Sequence, residues 1–161
     1  MSIRIIKPTD GDLDIYGLTI FLAGSIEMGS AEDWQTNISE RLEELDLNID
    51  VFNPRRDSWD SSWKQEESNP EFNHQVNWEM NKLDRSDVIF MYFSPETKSP
   101  ISLLELGLYA DSGRIIVCCP DGFWRKGNVE IVCSRYRIPL YHNLDDAFGG
   151  LLTKIKTTNR I

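Results

Sequence analysis

At residues 99–110 the chain carries the stretch Ser99-Pro100-Ile101-Ser102-Leu103-Leu104-Glu105-Leu106-Gly107-Leu108-Tyr109-Ala110. A serine followed by a proline is typical of a helix N-terminus, so the stretch predicts a helix over 101–110. Strand-like apolar runs precede and follow this helix, at 88–93 and 115–119. A strand, a helix and a second strand in this order form a unit that places two parallel strands in one sheet.

Glu105 is the only carboxylate of this predicted helix, and leucines surround it in the sequence. Burying a carboxylate among apolar side chains costs free energy unless the group finds hydrogen-bonding partners or performs a task. Because the helix follows a strand, Glu105 is expected near the carboxyl edge of the sheet, where open α/β folds place their sites. Glu105 is therefore the first candidate for a catalytic residue.

The alternation of strands and helices extends along the chain. Further strands are predicted at 18–23, 49–53 and 138–141, and further helices at 31–45, 74–83, 128–136 and 144–155. Residues 55–73 carry no such pattern, and we expect a long loop there. The alternation predicts an α/β fold over 1–161: a single-domain three-layer sandwich with about five mostly parallel strands, flavodoxin-like or Rossmann-like.

Composition and charge limit the class of partner. The formal net charge of −9 disfavours a nucleic-acid polymer, because binding a phosphate backbone needs a surplus of cations. No apolar run has the length of a signal peptide or a membrane span, so we expect a cytoplasmic protein with no membrane partner. Cys118 and Cys119 lie in an apolar strand-like run, which predicts buried free thiols. Together with Cys133 they show no ligand spacing for a metal, and we expect no cofactor.

Two polar motifs are expected at the same edge of the sheet as Glu105. Gly24-Ser25-Ile26 follows a strand, and such a turn either presents N–H groups and a hydroxyl to a ligand or merely connects strand and helix. Asn53-Pro54-Arg55-Arg56 follows another strand, and its arginines either bind an anion or form salt bridges with local acids. Both motifs are candidate substrate-binding segments.

Aromatic and amide side chains supply further candidates. Trp59, Trp63, Phe72 and Trp78 lie in or beside the predicted loop, and their rings either stack on a planar base or pack against the protein. Asn128 opens a predicted helix, where it either caps that helix or extends into a neighbouring pocket.

Three further carboxylates are candidate partners of Glu105. Asp84 and Asp87 precede a strand, at positions where an acidic side chain often belongs to a turn. Glu79 lies on a helix that we expect to pack close to the strand ends. Glycosyl chemistry uses two carboxyl groups with separated pKa values: one attacks or stabilises the anomeric carbon, and the other handles the proton of the leaving group.

Together these motifs resemble the nucleoside 2-deoxyribosyltransferase superfamily, which includes a deoxynucleotide N-hydrolase branch. The resemblance covers roughly 18–141 and is strongest to the nucleoside 2-deoxyribosyltransferase-like branch, which is common in phages. Its motifs are 21–26, then Glu79 with Leu83 and 86–89, and finally 99–110 with its Glu-Leu-Gly core. The resemblance implies cleavage or transfer at the N-glycosidic bond of a 2′-deoxyribonucleoside or nucleotide, without a cofactor.

The resemblance also implies roles for individual residues. Glu105 matches the family's nucleophile, which attacks C1′ and forms a covalent deoxyribosyl-enzyme. Glu79 matches an acid that helps to protonate the departing base, although the family usually has Asp there, and Asp87 matches a further acidic position. The turn Gly24-Ser25-Ile26 matches a sugar-binding turn, and Ser99 matches a serine that the hydrolase branch uses for a 5′-phosphate.

The remaining expectations concern the rest of the substrate and the neighbouring subunit. Asn53, Arg55 and Trp78 are predicted to bind substrate, and Asn128 is the predicted residue that a neighbouring subunit donates in a homo-oligomer. Glu27 stands where the hydrolase branch carries an Arg, and its charge disfavours a monophosphate unless an arginine compensates. Two other hypotheses stay open: a catalytically silent nucleotide-binding or sensing module, and an N-glycosidase acting on a modified nucleotide or an ADP-ribose derivative.

Overall fold

The computed structural model describes residues 2–26, 32–56, 60 and 62–158. Six strands and five α-helices follow one another in this part of the chain. The elements are β1 (Ile3–Ile6), β2 (Leu18–Gly24), α1 (Trp34–Glu43), β3 (Ile49–Phe52), α2 (Pro70–Arg85), β4 (Val88–Tyr92), α3 (Pro100–Tyr109), β5 (Ile115–Cys118), α4 (Lys126–Tyr136), β6 (Leu140–Tyr141) and α5 (Leu144–Thr158).

The six strands form one sheet in the order β1-β3-β2-β4-β5-β6, and every neighbouring pair is parallel. Without β1, this is the 2-1-3-4-5 order of flavodoxin-like folds. The chain moves from β2 to β3 on one side and then returns to β4 on the other side of β2. The carboxyl ends of β2 and β4 therefore form the topological switch point, where such folds bind ligands.

Helices cover both faces of the sheet, which confirms the predicted three-layer α/β sandwich. Residues of α2, α3 and α4 pack against one face, where Phe21, Phe52 and Met91 are buried. Residues of α1 and α5 pack against the opposite face, around Ile20 and Phe90. Both faces of the strands are buried, as expected for a parallel sheet.

The sequence analysis missed β1, so the sheet has six strands instead of about five. Its four residues pair with β3 alone at the edge of the sheet, and a charged Arg4 interrupts the apolar run. The Arg4 guanidinium lies 2.6 Å from a carboxylate oxygen of Asp50 on β3. This cross-strand ion pair is a tertiary contact that the short pattern at the start of the chain does not reveal.

Capping residues set the starts of α1 and α2. The carboxylate of Asp33 accepts a hydrogen bond from the backbone N–H of Thr36, and α1 begins at Trp34, later than predicted. The side chain of Asn69 accepts a hydrogen bond from the backbone N–H of Phe72. Helix α2 therefore begins at Pro70, four residues earlier than the predicted start at His74. Asparagine at the N-cap followed by proline at the first helical position is a favourable helix start.

The three cysteines are buried and free, as predicted for Cys118 and Cys119. No helix in the described ranges has both the length and the apolar character needed to cross a membrane.

Candidate active site

A cavity of about 680 Å³ lies beside the switch point of the sheet. The end of β2 closes it on one side, through Phe21, Ala23 and Gly24. One face of α2 and one face of α3 form its walls, because their lining residues recur every three or four positions. From α2 these are Phe72, Gln75, Val76, Glu79, Met80 and Leu83, and from α3 Pro100, Ile101, Ser102, Leu104, Glu105 and Leu108.

Two carboxyl groups line this otherwise mostly apolar cavity from opposite helices, Glu79 from α2 and Glu105 from α3. Burial, and after it the negative charge of nearby Glu79, raise the pKa of Glu105 to about 8. Burial also raises the pKa of Glu79 to about 7, although a hydrogen bond from Gln75 acts in the opposite direction. Between these two values the pair holds about one proton, so that one carboxylic acid and one carboxylate lie in the same site.

Gly24 lines the cavity at a position that only glycine can occupy. Its φ is +134°, and a Cβ atom there would lie 2.2 Å from the carbonyl oxygen of Tyr92 on β4. The neighbouring Ile26 also lines the cavity. The predicted ligand-binding turn is therefore at the cavity, with these two residues as its exposed part.

Ser25 supports the cavity wall from behind instead of lining it. Its side chain is buried, and its hydroxyl accepts a hydrogen bond from the N–H of Ser94 at 2.8 Å. The same hydroxyl bonds to those of Thr97, at 2.8 Å, and Ser99. The predicted direct contact between Ser25 and a ligand is thus replaced by a hydroxyl network that holds the start of α3.

Ser99 and Lys98 line the cavity where α3 begins. Ser99 is the N-cap of α3 and has a left-handed backbone with φ +46°, an uncommon conformation for a residue with a Cβ. Its hydroxyl lies 2.7 Å from that of Thr97 and takes no part in capping the helix. The positive end of the helix dipole and the Lys98 side chain both favour a negative group at this end of the cavity.

Arg56, and not Arg55, extends into the cavity wall. Its guanidinium lies 4.9 Å from the centre of the Trp63 ring, and Nη1 donates to Oε1 of Gln75 at 3.4 Å. The sequence offers both arginines of this segment as anion ligands and predicts that Arg55 binds the substrate. The arginine that lines the cavity is instead its neighbour Arg56, held between an aromatic ring and an amide.

Arg55 and Asn53 form local structure away from the cavity. Nε of Arg55 donates to Oε1 of Gln35 at 3.2 Å, and Nη2 donates to the carbonyl of Glu32 at 2.8 Å. The side chain of Asn53 is buried and accepts a hydrogen bond from the N–H of Arg55 at 3.0 Å. Both assignments to substrate binding are corrected accordingly: Asn53 shapes the turn after β3, and Arg55 ties that turn to the start of α1.

Trp78 packs in the core between α2 and the sheet. Its ring centre lies 6.2 Å from that of Phe21 and 6.4 Å from that of Phe52. Successive helical residues point about 100° apart, so Trp78 faces the sheet while Glu79 faces the cavity. The predicted contact of Trp78 with a substrate is corrected to a packing role.

Asn128 is exposed on α4 and lines a separate, shallow cavity of about 320 Å³ between α3 and α4. The N-cap of α4 is Arg125, so Asn128 does not cap the helix either. The structure does not bring this residue to the cavity of its own chain, and a contribution to a neighbouring subunit's site stays a prediction.

Asp87 lies at the amino end of β4, whereas the cavity adjoins the carboxyl ends of the strands. Its carboxylate accepts hydrogen bonds from the backbone N–H and the hydroxyl of Thr19, both at 2.9 Å. The Thr19 hydroxyl accepts in turn from the N–H of Asp87 at 2.9 Å. The structure therefore does not place Asp87 with the two glutamates, and its predicted catalytic role is corrected to one in joining β2 to β4.

Sequence reasoning missed Gln75 and Lys98, which line the cavity. Gln75 precedes Glu79 by four residues, a spacing that places both on one face of a helix. The predicted residues Glu27 and Trp59 lie outside the described residues. Within the described ranges no three His, Cys, Asp or Glu side chains lie close enough together to hold a metal ion.

Comparisons with known proteins identify a matching family and a shared fold. The sequence profile of a family described as "Nucleoside 2-deoxyribosyltransferase like" matches residues 17–123. A crystal structure of a conserved protein from Enterococcus faecalis V583 has the same fold, with a TM-score of 0.59 and 14% sequence identity, over 88% of this chain and 99% of that chain. No curated protein matches the sequence.

Proposed function

The chain belongs to the nucleoside 2-deoxyribosyltransferase-like family, and we propose that it cleaves or transfers at the N-glycosidic bond of a 2′-deoxyribonucleoside or nucleotide through a covalent intermediate on Glu105. The observation that carries the proposal is the pair Glu79 and Glu105 in one cavity at the switch point of the sheet. With pKa values near 7 and 8, the pair supplies a nucleophile and an acid together near neutral pH.

In the first step, a carboxylate oxygen of Glu105 attacks C1′ of the sugar and forms a C1′–O bond. The C1′–N bond breaks, its electron pair passes to the base, and Glu79 donates a proton to the base. In the second step, a water molecule or a second base attacks C1′ and releases Glu105 as a carboxylate. Glu79, now ionised, takes the proton of the attacking group and returns to its starting state.

This sequence of steps requires the negative charge on Glu105 and the proton on Glu79, whereas the higher pKa of Glu105 places the proton of the pair on Glu105 in the free site. Sugar hydroxyls that donate hydrogen bonds to Glu105 favour its ionised form. The proton of the pair then resides on Glu79, where the leaving base needs it. Substrate binding thus favours the productive arrangement, in which the single proton of the pair lies on Glu79 and not on Glu105.

The rest of the cavity suits a nucleoside. Its volume of about 680 Å³ lies in the range of small-molecule sites. The apolar side chains Phe72, Val76 and Met80 offer a surface for a planar base, and Ser99 with Lys98 lies where a 5′-hydroxyl or 5′-phosphate would be held.

We also propose that a second copy of this chain covers the mouth of the cavity in a homo-oligomer. Four apolar residues that line the cavity are exposed to solvent: Met80 at 42%, Ile101 and Leu104 at 59% each, and Leu108 at 56%. A group of exposed apolar side chains around a site marks an interaction surface.

A base-release assay with Glu105→Gln tests the proposed function. The wild-type protein, incubated with deoxynucleosides and their 5′-monophosphates with and without an acceptor base, is expected to release free base from at least one of them. Glu105→Gln should lower that rate by about 10³-fold or more, because the amide is a poor nucleophile. The exposed Glu40 on α1 provides a matched control, and Glu40→Gln should keep the wild-type rate.

Equal rates in the wild-type protein and in Glu105→Gln would contradict the assignment of the nucleophile. Absence of turnover, together with a rise in melting temperature on adding one of the same compounds, would support a nucleotide-binding module instead.

A further inference from the structure

Gln75 is a polar side chain that is only 4% exposed, and each polar atom of its amide has a partner. Nε2 donates to the carbonyl of Pro54 and to Oε1 of Glu79, both at 3.1 Å. Oε1 accepts from Nη1 of Arg56 at 3.4 Å. Gln75 therefore connects Glu79 on α2 to the loop that follows β3.

The chemistry of the two loop partners determines which way the amide of Gln75 points. A backbone carbonyl can only accept a hydrogen bond, and a guanidinium can only donate one. Nε2 must therefore face Pro54 and Oε1 must face Arg56, and the reversed amide would lose both contacts. The second N–H of Nε2 is then directed at Glu79, whichever protonation state that carboxyl group adopts.

We propose that Gln75 is a positioning residue that orients Glu79 and fixes its proton on Oε2. In a protonated carboxyl group the carbonyl oxygen is a stronger hydrogen-bond acceptor than the hydroxyl oxygen, so the bond from Gln75 favours Oε1 as the unprotonated oxygen of the acid. Oε2 is left to donate to the departing base. This inference rests on the proposed role of Glu79 as the acid and adds Gln75 as a residue that acts on the reaction through Glu79.

The charged groups around Glu79 support this assignment. Glu105 of α3, Lys98 before α3 and Arg56 after β3 line the same cavity. The charge of Glu79 raises the pKa of Glu105, whereas the hydrogen bond from Gln75 lowers the pKa of Glu79 against the effect of burial. Gln75 thereby holds the acid ready to lose its proton, which is what donation to a base requires.

Substrates with two kinds of leaving group test the proposal. Gln75→Met keeps the size of the side chain and removes its hydrogen bonds, and it should lower kcat for base release by about 10-fold with KM changed less than about 2-fold. With a 4-nitrophenyl 2-deoxyriboside, whose leaving group departs without a proton, the rate of the variant should stay within about 2-fold of the wild type.

A matched control is available on the opposite side of the sheet. Gln35 of α1 is also fully buried, and its Oε1 accepts a hydrogen bond from Arg55. Gln35→Met should leave the ratio of the two rates unchanged. An equal loss on both substrates in Gln75→Met would overturn the proposal, because a general disturbance of the site affects both leaving groups.

A measurement independent of turnover separates this proposal from the proposed function. In protein with ¹³C-labelled glutamate, the Glu79 carboxyl resonance is identified by its loss in Glu79→Gln and titrated in each variant. Gln75→Met should raise the pKa of Glu79, and an unchanged value would overturn the inference even if no substrate is turned over. Gln75→Asn, whose amide is one methylene too short to reach Glu79 and which adds no charge, should shift the pKa in the same direction if Gln75→Met does not fold.

Discussion

At the scale of single residues, burying Glu79 and Glu105 gives the stability of the protein an unusual dependence on pH. Their pKa values are about 7 and about 8, against an ordinary value of 4.5 that they regain on unfolding. Between pH 4.5 and 8 the folded protein therefore binds more protons at these two sites than the unfolded chain does. The free energy of unfolding must decrease with rising pH across this range as far as these two groups determine it.

The variant Glu79→Gln isolates one of the two contributions. An amide cannot ionise, so the variant should gain about 1–3 kcal/mol in free energy of unfolding relative to the wild type at pH 8 and little at pH 5. Urea denaturation at the two pH values measures the difference. The exposed Glu40→Gln should give no such change, and an equal effect of Glu79→Gln at both pH values would be inconsistent with a raised pKa.

Individual site residues could be predicted only where the residue type and its neighbours in the sequence were sufficient to identify them. An apolar context singled out Glu105, the expected packing of its helix near the strand ends singled out Glu79, and both line the cavity. The choice between Arg55 and Arg56 depends on the path of a loop after a proline, which no periodicity describes. The choice between Trp78 and Glu79 depends on the rotation of α2 about its axis, which the packing of Trp78 against Phe21 and Phe52 determines.

At the scale of elements, Asp87 and Thr19 join the amino ends of β2 and β4. The two residues exchange four hydrogen bonds, because the N–H of Asp87 also donates to the carbonyl of Thr19 at 3.1 Å. β2 and β4 are the central neighbours whose opposite ends adjoin the cavity. The register of this strand pair therefore positions the end of β2 beside the glutamates.

Replacing Asp87 distinguishes this role in the strand pair from a catalytic one. Asp87→Asn weakens the charge-assisted bonds to Thr19, so the free energy of unfolding should decrease by about 1–2 kcal/mol. The rate of base release per folded molecule should stay within about 2-fold of the wild type, because the residue lies at the far end of the strands. The exposed Asp111→Asn is the control for the charge change, and a loss of rate of about 10²-fold in Asp87→Asn would restore the catalytic hypothesis.

The strands and helices could be predicted where their buried residues recur at a regular spacing in the sequence. β4 and β5 are wholly apolar runs bounded by polar residues, and their positions agree with the prediction to within one residue. β1 was missed because its stability comes from pairing with β3 and from the ion pair of Arg4 with Asp50. The local sequence pattern around Arg4 does not indicate an ion-pair partner that lies 46 residues away in the chain.

At the scale of the whole molecule, the cavity combines a buried acidic centre with an apolar, exposed mouth. α3 contributes both, since Glu105 points into the cavity while Ile101, Leu104 and Leu108 stay more than half exposed. A substrate bound beside Glu105 would leave this rim in water in a single chain. Covering the rim with a second copy would exclude water from the reacting atoms and strengthen the electrostatic interactions there.

The variant Leu104→Lys tests whether the mouth is an interface between copies. If two copies bury this rim, the wild-type protein should sediment as an oligomer and Leu104→Lys as a smaller species, because a lysine in an apolar contact leaves a buried charge without a partner. Ile131→Lys on α4 is a stringent control, because Ile131 is 71% exposed and does not line the cavity, and it should leave the sedimentation coefficient unchanged.

A wild-type protein that stays monomeric up to about 100 µM would contradict the interface, since micromolar affinity is the weak limit for a specific assembly. Loss of base release in Leu104→Lys that returns at high protein concentration would link assembly directly to the completed site, because mass action restores the oligomer.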